Sequence, residues 1–235
     1  KENNLKLIED CSHAHGALYD NKKVGSFSDI SCFSLQGAKA IKAGEGGIAL
    51  TNNKNFLLRM SLYGHFNRHQ SELMNDENLK EFSKTGFSKK LRAHPLGISL
   101  ASVDLENLVN LNKYKNEIYN TIDNIIKKYN SIKTMELNDK ATRGGFFGGY
   151  PVIFNDIEKI DEIKKIFEKF KIELYPYHWL QHHKMNIFNS DETKLIVSES
   201  IIKNFFMIKI PYFLNFNFDN FKKCLLDCKK NNLIK

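Results

Sequence analysis

The chain has 235 residues, 42% of them hydrophobic and 26% charged, which is length enough for one large or two small domains with a substantial core and excludes a disordered or fibrous chain. Its formal charge of +8 is spread along the sequence among asparagines and isoleucines, with no basic stripe interleaved with aromatics; this is no nucleic-acid footprint, although the positive field suits an anionic small substrate. No apolar run approaches the roughly 18 residues that cross a bilayer and no signal-peptide pattern opens the chain, so a cytoplasmic location is expected.

The opening NLKLIED reads as a buried strand ending in an acid, Asp10; with Lys1 in place of Met, the chain is expected to start in mid-domain. A glycine-containing turn follows at SHAHGALYDNKKVGS, then an apolar stretch DISCFSLQ, then GGIALT after the glycines of GEGG. These are strands with short connections, the pattern of an α/β sheet. Phe56, Leu57, Met60 and Tyr63 have helical spacing, and the polar stretch after them, to about Lys84, reads as loop. From Pro95, PLGISLASVDLENLVNLNKYKNEIYNTIDNIIKKYN predicts a long helical region broken at most once, with the proline in the first turn, where its missing N–H costs nothing. Beyond it GGYPVIFN and NFFMIKIPYF read as strands, and IDEIKKIFEKFKI and FDNFKKCLLDCKKN as amphipathic helices. A small α+β domain is expected there, with the boundary between residues 115 and 135, so that residues 1–120 form the first domain and 121–235 the second.

Cys11, Cys32, Cys224 and Cys228 include no CxxC pair and are expected to be reduced. Cys224 and Cys228, four apart, share one helical face as small apolar filler.

Three features coincide in the first fifty residues: the strand-end Asp10, Lys39 after a strand, and the turn Gly44-Glu45-Gly46-Gly47. Singly, a strand-end Asp is a helix cap, a lone Lys a solvated charge, and glycines a turn. Together they gain meaning, because ligands of open α/β sheets gather at the carboxyl ends of strands, where Asp10 and Lys39 would converge on one crevice.

The order D-x-x-H-x-H-G, then S-x-x-x-x-K, then G-E-G-G five residues after that lysine resembles the DegT/DnrJ/EryC1/StrS family of sugar aminotransferases, a branch of the fold-type I pyridoxal-phosphate enzymes. The resemblance runs from LIEDCSHAHG through GEGGIALTNN and resumes at GFSKKLRAHPLG, with looser counterparts in PYHWLQHHKMNIF and FFMIKIPYF. It implies a partial, mostly parallel α/β large domain followed by a small α+β domain, and pyridoxal 5′-phosphate as cofactor. Lys39 would bond covalently to the cofactor's aldehyde and act as general acid and base; Lys42 stands at the wrong distance from GEGG. Asp10 would hold the pyridine nitrogen protonated, His13 contact the ring oxygen and Ser34 the phosphate. Lys90 stands where relatives reach the phosphate of the neighbouring subunit, which implies a homodimer with shared sites, although a surface lysine fits as well. His15 is read as structural, and Arg92 and His94 receive no role. A histidine near the sugar is implied by position at His183, with His178 as the alternative. His178, His182 and His183 have metal-like spacing but neither cysteines nor paired acids beside them, so no metal is expected.

The implied activity moves an amino group from an amino acid, glutamate, to a keto-sugar carried on a nucleotide. Retention of Lys39 speaks against the family branch that dehydrates sugars and carries His there. The family's N-terminal segment, with its phosphate-binding turn and ring-stacking aromatic, is not found in this sequence. The alternative is therefore a catalytically incomplete fragment or a non-catalytic interaction module that keeps the fold.

Overall fold

The computed structural model describes every residue except 1, 2, 4, 65–68, 88, 147, 157, 177–180, 189–194 and 212–214. In chain order its elements are β1 (Ile8–Asp10), β2 (Leu18–Tyr19), β3 (Lys22–Lys23), β4 (Ile30–Ser34), β5 (Gly47–Leu50), α1 (Lys54–Gly64), α2 (Gln70–Met74), α3 (Pro95–Ile126), β6 (Ile132–Thr134), β7 (Ala141–Thr142), β8 (Tyr150–Phe154), α4 (Ile160–Lys169), β9 (Leu174–Pro176), α5 (Ile196–Asn204), β10 (Phe205–Ile208) and α6 (Phe218–Lys230). They fall into two compact units, one of residues 1–113 and 138–147, the other of residues 114–137 and 148–235.

In the first unit β1, β4 and β5 form a sheet in that order. β1 runs parallel to β4 with Asp10 opposite Cys32, and β5 returns antiparallel along the other edge of β4. The parallel pair brings the carboxyl ends of β1 and β4 side by side, and every candidate group of the first fifty residues leaves from those ends. Glu9 ties the returning loop beneath them, its carboxylate accepting the backbone N–H groups of Gly25, Phe27 and Ser28 at 3.0 Å each. β7, from far along the chain, pairs antiparallel with β2.

Two expectations change here. The strand predicted as buried is only three residues long, and its Ile8 is 65% exposed. β1 is an edge strand of its sheet, and among the described residues nothing covers the face that carries Ile8. The polar stretch after α1, read as loop, contains α2 and a 3₁₀ turn at Lys80–Phe82. Leu73 and Leu79 hold these short pieces by burying themselves against Leu58 and Leu62, with Phe82 alongside. Tertiary packing orders that segment, since its own apolar residues have no helical period.

The second unit is built on an antiparallel sheet in the order β6-β8-β10-β9. α4 buries Ile160, Ile163 and Phe167, and α6 buries Phe221, Cys224, Leu225 and Cys228, each set three or four residues apart and hence on one face. Phe167 meets Phe154 of the sheet and Phe221 of α6 edge-on, with centroids 6.5 and 6.3 Å apart. Cys224 and Cys228 are buried free thiols within that stripe. α3 is one unbroken helix of 32 residues that starts at Pro95.

Candidate active site

The carboxyl end of β1 presents Asp10. Its Oδ1 accepts both the hydroxyl and, at 3.0 Å, the backbone N–H of Ser12. Those two bonds, aided by the charges of His13 and Lys39, hold the carboxyl below the ordinary range, so Asp10 is a fixed anion at neutral pH.

The turn after Asp10 sends its two histidines different ways. His15 is 2% exposed and donates from Nε2 to the carbonyl of Ser34 at 2.9 Å, pinning the turn to the end of β4. Its ring is tilted against Phe33, with centroids 5.4 Å apart, and its Nδ1 is buried without a hydrogen-bond partner among the described residues. Burial lowers its pKa and so keeps the ring neutral; the carbonyl of His15 accepts from Asn112 of α3 at 2.9 Å. His13 is exposed at the surface, and its Nε2 lies 2.7 Å from the Nζ of Lys39.

Lys39 follows β4. Its backbone N–H closes a turn onto the carbonyl of Gln36 at 2.9 Å, and only 7% of the residue is exposed. Burial pushes the pKa of its amine down while the charge of Asp10 pushes it back up, so the two groups are electrostatically linked. Lys42 turns elsewhere: its Nζ is 3.5 Å from Asp104 of α3, which also accepts its backbone N–H at 3.0 Å. The Ser34 hydroxyl accepts the N–H of Gln36 at 3.3 Å, at the start of the same turn.

The arrangement thus gathers an anion, an imidazole, a poorly solvated amine and a hydroxyl at the ends of two parallel strands. Such a set can bind an aromatic cation at its nitrogen, donate the Ser34 hydroxyl to an anionic group, and offer an amine to a carbonyl carbon. Asp10, His13, Ser34 and Lys39 are brought together. Lys90, which the resemblance assigns to the phosphate of a neighbouring subunit, is an exposed residue of the segment before α3, and its ammonium makes no ion pair with a described residue. His183 lies in the second unit, on a 3₁₀ turn at His182–Lys184, with Nε2 3.1 Å from the Glu199 carboxylate of α5. Lys184, 2.9 Å from the same carboxylate, and His183 hold Glu199 at a pKa of about 2. His178 lies outside the described residues.

His15, read as structural, has that role: it joins the β1 and β4 ends. One contributor escaped the sequence reading. Gly145 packs on the His13 backbone: its φ is +77°, and a Cβ there would stand 2.5 Å from the His13 carbonyl oxygen. Only glycine fits that position. The paired glycines of RGGFFGG are the available signal for so close an approach.

Comparison with known proteins gives the chain's family and fold. A family model described as the DegT/DnrJ/EryC1/StrS aminotransferase family matches residues 1–223. GDP-perosamine synthase of Escherichia coli O157:H7 is 54% identical over 54 residues, which are 23% of this chain and 15% of that protein. Among solved structures, the aminotransferase from Psychrobacter cryohalolentis superposes with a TM-score of 0.78 at 18% identity, covering 98% of this chain and 63% of that one. Helicobacter pylori PseC, described as an aminotransferase involved in the biosynthesis of pseudoaminic acid, gives 0.70 at 21% identity, covering 98% and 61%. At these identities the likeness shows the fold, which is that of fold-type I pyridoxal-phosphate transferases, and this chain spans under two thirds of either solved relative. The match along residues 1–223 shows that the chain belongs to the DegT/DnrJ/EryC1/StrS aminotransferase family, whose cofactor is pyridoxal 5′-phosphate.

Proposed function

We propose that this chain carries the cofactor-bearing crevice of an aminotransferase that moves an amino group from an amino acid, glutamate, to a keto-sugar linked to a nucleotide. The observation that carries the reading is the Lys39 amine, 7% exposed, 2.7 Å from His13 and electrostatically coupled to Asp10. The donor set fits the family's cofactor. Asp10, a fixed anion, would sit at the protonated pyridine nitrogen; His13 would reach the ring oxygen; the Ser34 hydroxyl would take part in holding the phosphate. Lys39, its pKa lowered by burial, would offer the covalent link.

When bound, pyridoxal phosphate supplies an electron sink that acidifies the carbon bearing the amino group. The protein's share is to hold Lys39 over that carbon and move its proton, first from the donor and then, in reverse, to the sugar. A buried lysine electrostatically linked to a fixed carboxylate favours this reading over a non-catalytic module.

The substrate class rests on two supports. The relative named GDP-perosamine synthase is, by its name, concerned with a nucleotide-linked amino sugar. The formal charge of +8 favours an anionic substrate. His183, oriented by Glu199, is the group we assign to the sugar, with His178 as the alternative. Lys90 is assigned to the phosphate of a second copy in a cytoplasmic homodimer; an exposed lysine with no ion pair among the described residues is suited to that contact, and sedimentation of the protein should show the dimer. The experiment that tests the assignment is spectroscopic. Purified protein given pyridoxal phosphate should turn yellow, Lys39→Ala should stay colourless, and a yellow Lys39→Ala protein would refute it.

A further inference from the structure

We propose that His13 is the proton partner of Lys39: its Nε2 takes the proton that must leave the amine before it can react, and passes it to solvent. The proposal rests on the cofactor reading above and extends it, because a residue expected only to contact the cofactor ring becomes a participant in proton transfer.

A lysine attacks a carbonyl as the free base, so its ammonium must first lose a proton. Lys39 is 7% exposed, and that proton has little direct access to water. His13 bridges the gap, being exposed itself while its Nε2 lies 2.7 Å from the buried Nζ. Geometry comes first in choosing a base, and this contact is within direct transfer distance.

Among the described residues, the other titratable groups named around the pair are unsuited to the task. Asp10 is held as a stable anion by Ser12 and contributes charge, being too weak a base to keep the proton. The His15 Nε2 is committed to the Ser34 carbonyl, and its ring is buried with no path to the surface. Lys42 is engaged with Asp104. Arg143, on the strand-end segment that brings Gly145 against His13, is permanently protonated. His13 remains. Burial and the neighbouring Lys39 charge lower its pKa, so it is unprotonated while Lys39 still carries its proton.

The step balances simply. The Nζ–H bond breaks and its electron pair stays on nitrogen; the proton forms an Nε2–H bond; the resulting imidazolium releases its Nδ1 proton to water. Run backwards, the same transfer reprotonates Lys39 each time the amine is released.

Three proteins decide the matter: native, His13→Gln, which keeps a hydrogen-bond acceptor that holds no proton at neutral pH, and His13→Ala. The first readout is the rate at which colour develops after pyridoxal phosphate is added. We expect both variants to be slower by about a hundredfold, the lower end of what a positioned acid–base group contributes. Added imidazole should restore His13→Ala in proportion to its concentration and leave His13→Gln unaffected. The second readout needs no cofactor: acetylation of Lys39, followed by mass spectrometry across a pH series, should lose in both variants the inflection in the imidazole range that the native protein shows. Variants within about twofold of native in rate, or a folded His13→Ala indifferent to imidazole, would overturn the relay; should His13→Ala not fold, His13→Gln alone decides. If no protein colours while the acetylation profiles still differ, the cofactor reading falls and the relay stands.

Discussion

Replacing Gly145 with alanine tests how the site is held. The backbone there has φ +77°, and an added Cβ would lie 2.5 Å from the carbonyl oxygen and 2.7 Å from the carbonyl carbon of His13. The left-handed conformation costs an alanine about 1 kcal/mol. The collision adds to it, because carbon and oxygen normally approach no closer than about 3.3 Å, so two backbones must separate by about 0.8 Å. The sum is about 2–4 kcal/mol, within the range of strain-type substitutions. Gly148 supplies the control. It has the same φ of +77°, but its Cβ would meet the tip of Met207 at 3.2 Å, which gives way easily, and the Tyr175 hydroxyl at an ordinary 3.9 Å. Gly148→Ala should therefore cost about 1 kcal/mol or less. Urea unfolding gives the totals, and hydrogen exchange at the amides of β1 and β4 localises the loss. Gly145→Ala should also slow acetylation of Lys39, because the displaced loop carries His13. Equal costs for the two alanines, or a Gly145→Ala protein with native Lys39 reactivity, would refute the reasoning.

Phe167→Ala removes a ring that is 1% exposed and packed edge-on against Phe154 and Phe221; a loss of about 3–5 kcal/mol is expected in urea unfolding followed at the second unit. Asp10→Asn removes the charge that raises the Lys39 pKa against burial, so the pH profile of Lys39 acetylation should move to lower pH; a move upward would contradict the coupling. Lys115 is buried, donates to the Pro211 carbonyl at 2.8 Å, and is lowered by desolvation from 10.5 to about 8. The unfolded chain then binds more protons than the folded one between those values, so stability should rise as pH climbs from about 8 to 10.5, by at most about 3 kcal/mol. Lys115→Met should abolish that rise, as measured by urea midpoints across the window.

What was legible in the sequence follows the range of the interactions. α4 and α6 announce themselves, because Ile160, Ile163 and Phe167, like Phe221, Cys224 and Cys228, repeat with the helical period that local geometry imposes. Asp10 and Lys39 were legible by spacing along short strands, and β1 and β4 place the turns that carry them together. Position along the chain carried less for side-chain reach: the 2.7 Å contact of His13 with Lys39 and the bond from His15 to Ser34 depend on how two turns fold over each other. The pairing of β2 with β7 was out of reach, since the bond from the Leu18 N–H to the Thr142 hydroxyl joins residues 124 apart. α2 was missed because Leu73 and Leu79 are fixed by Leu58 and Leu62 and by no period of their own. β1 misled in the other direction: an apolar run shows that a face is suited to burial, and among the described residues nothing covers Ile8.

The central claim is that Lys39, and no other amine, takes the cofactor. Protein loaded with pyridoxal phosphate, reduced with borohydride and cut into peptides should carry the added mass on Lys39. The same mass on Lys42, or on none of the lysines in the segment from Asp10 to Gly47, would contradict it.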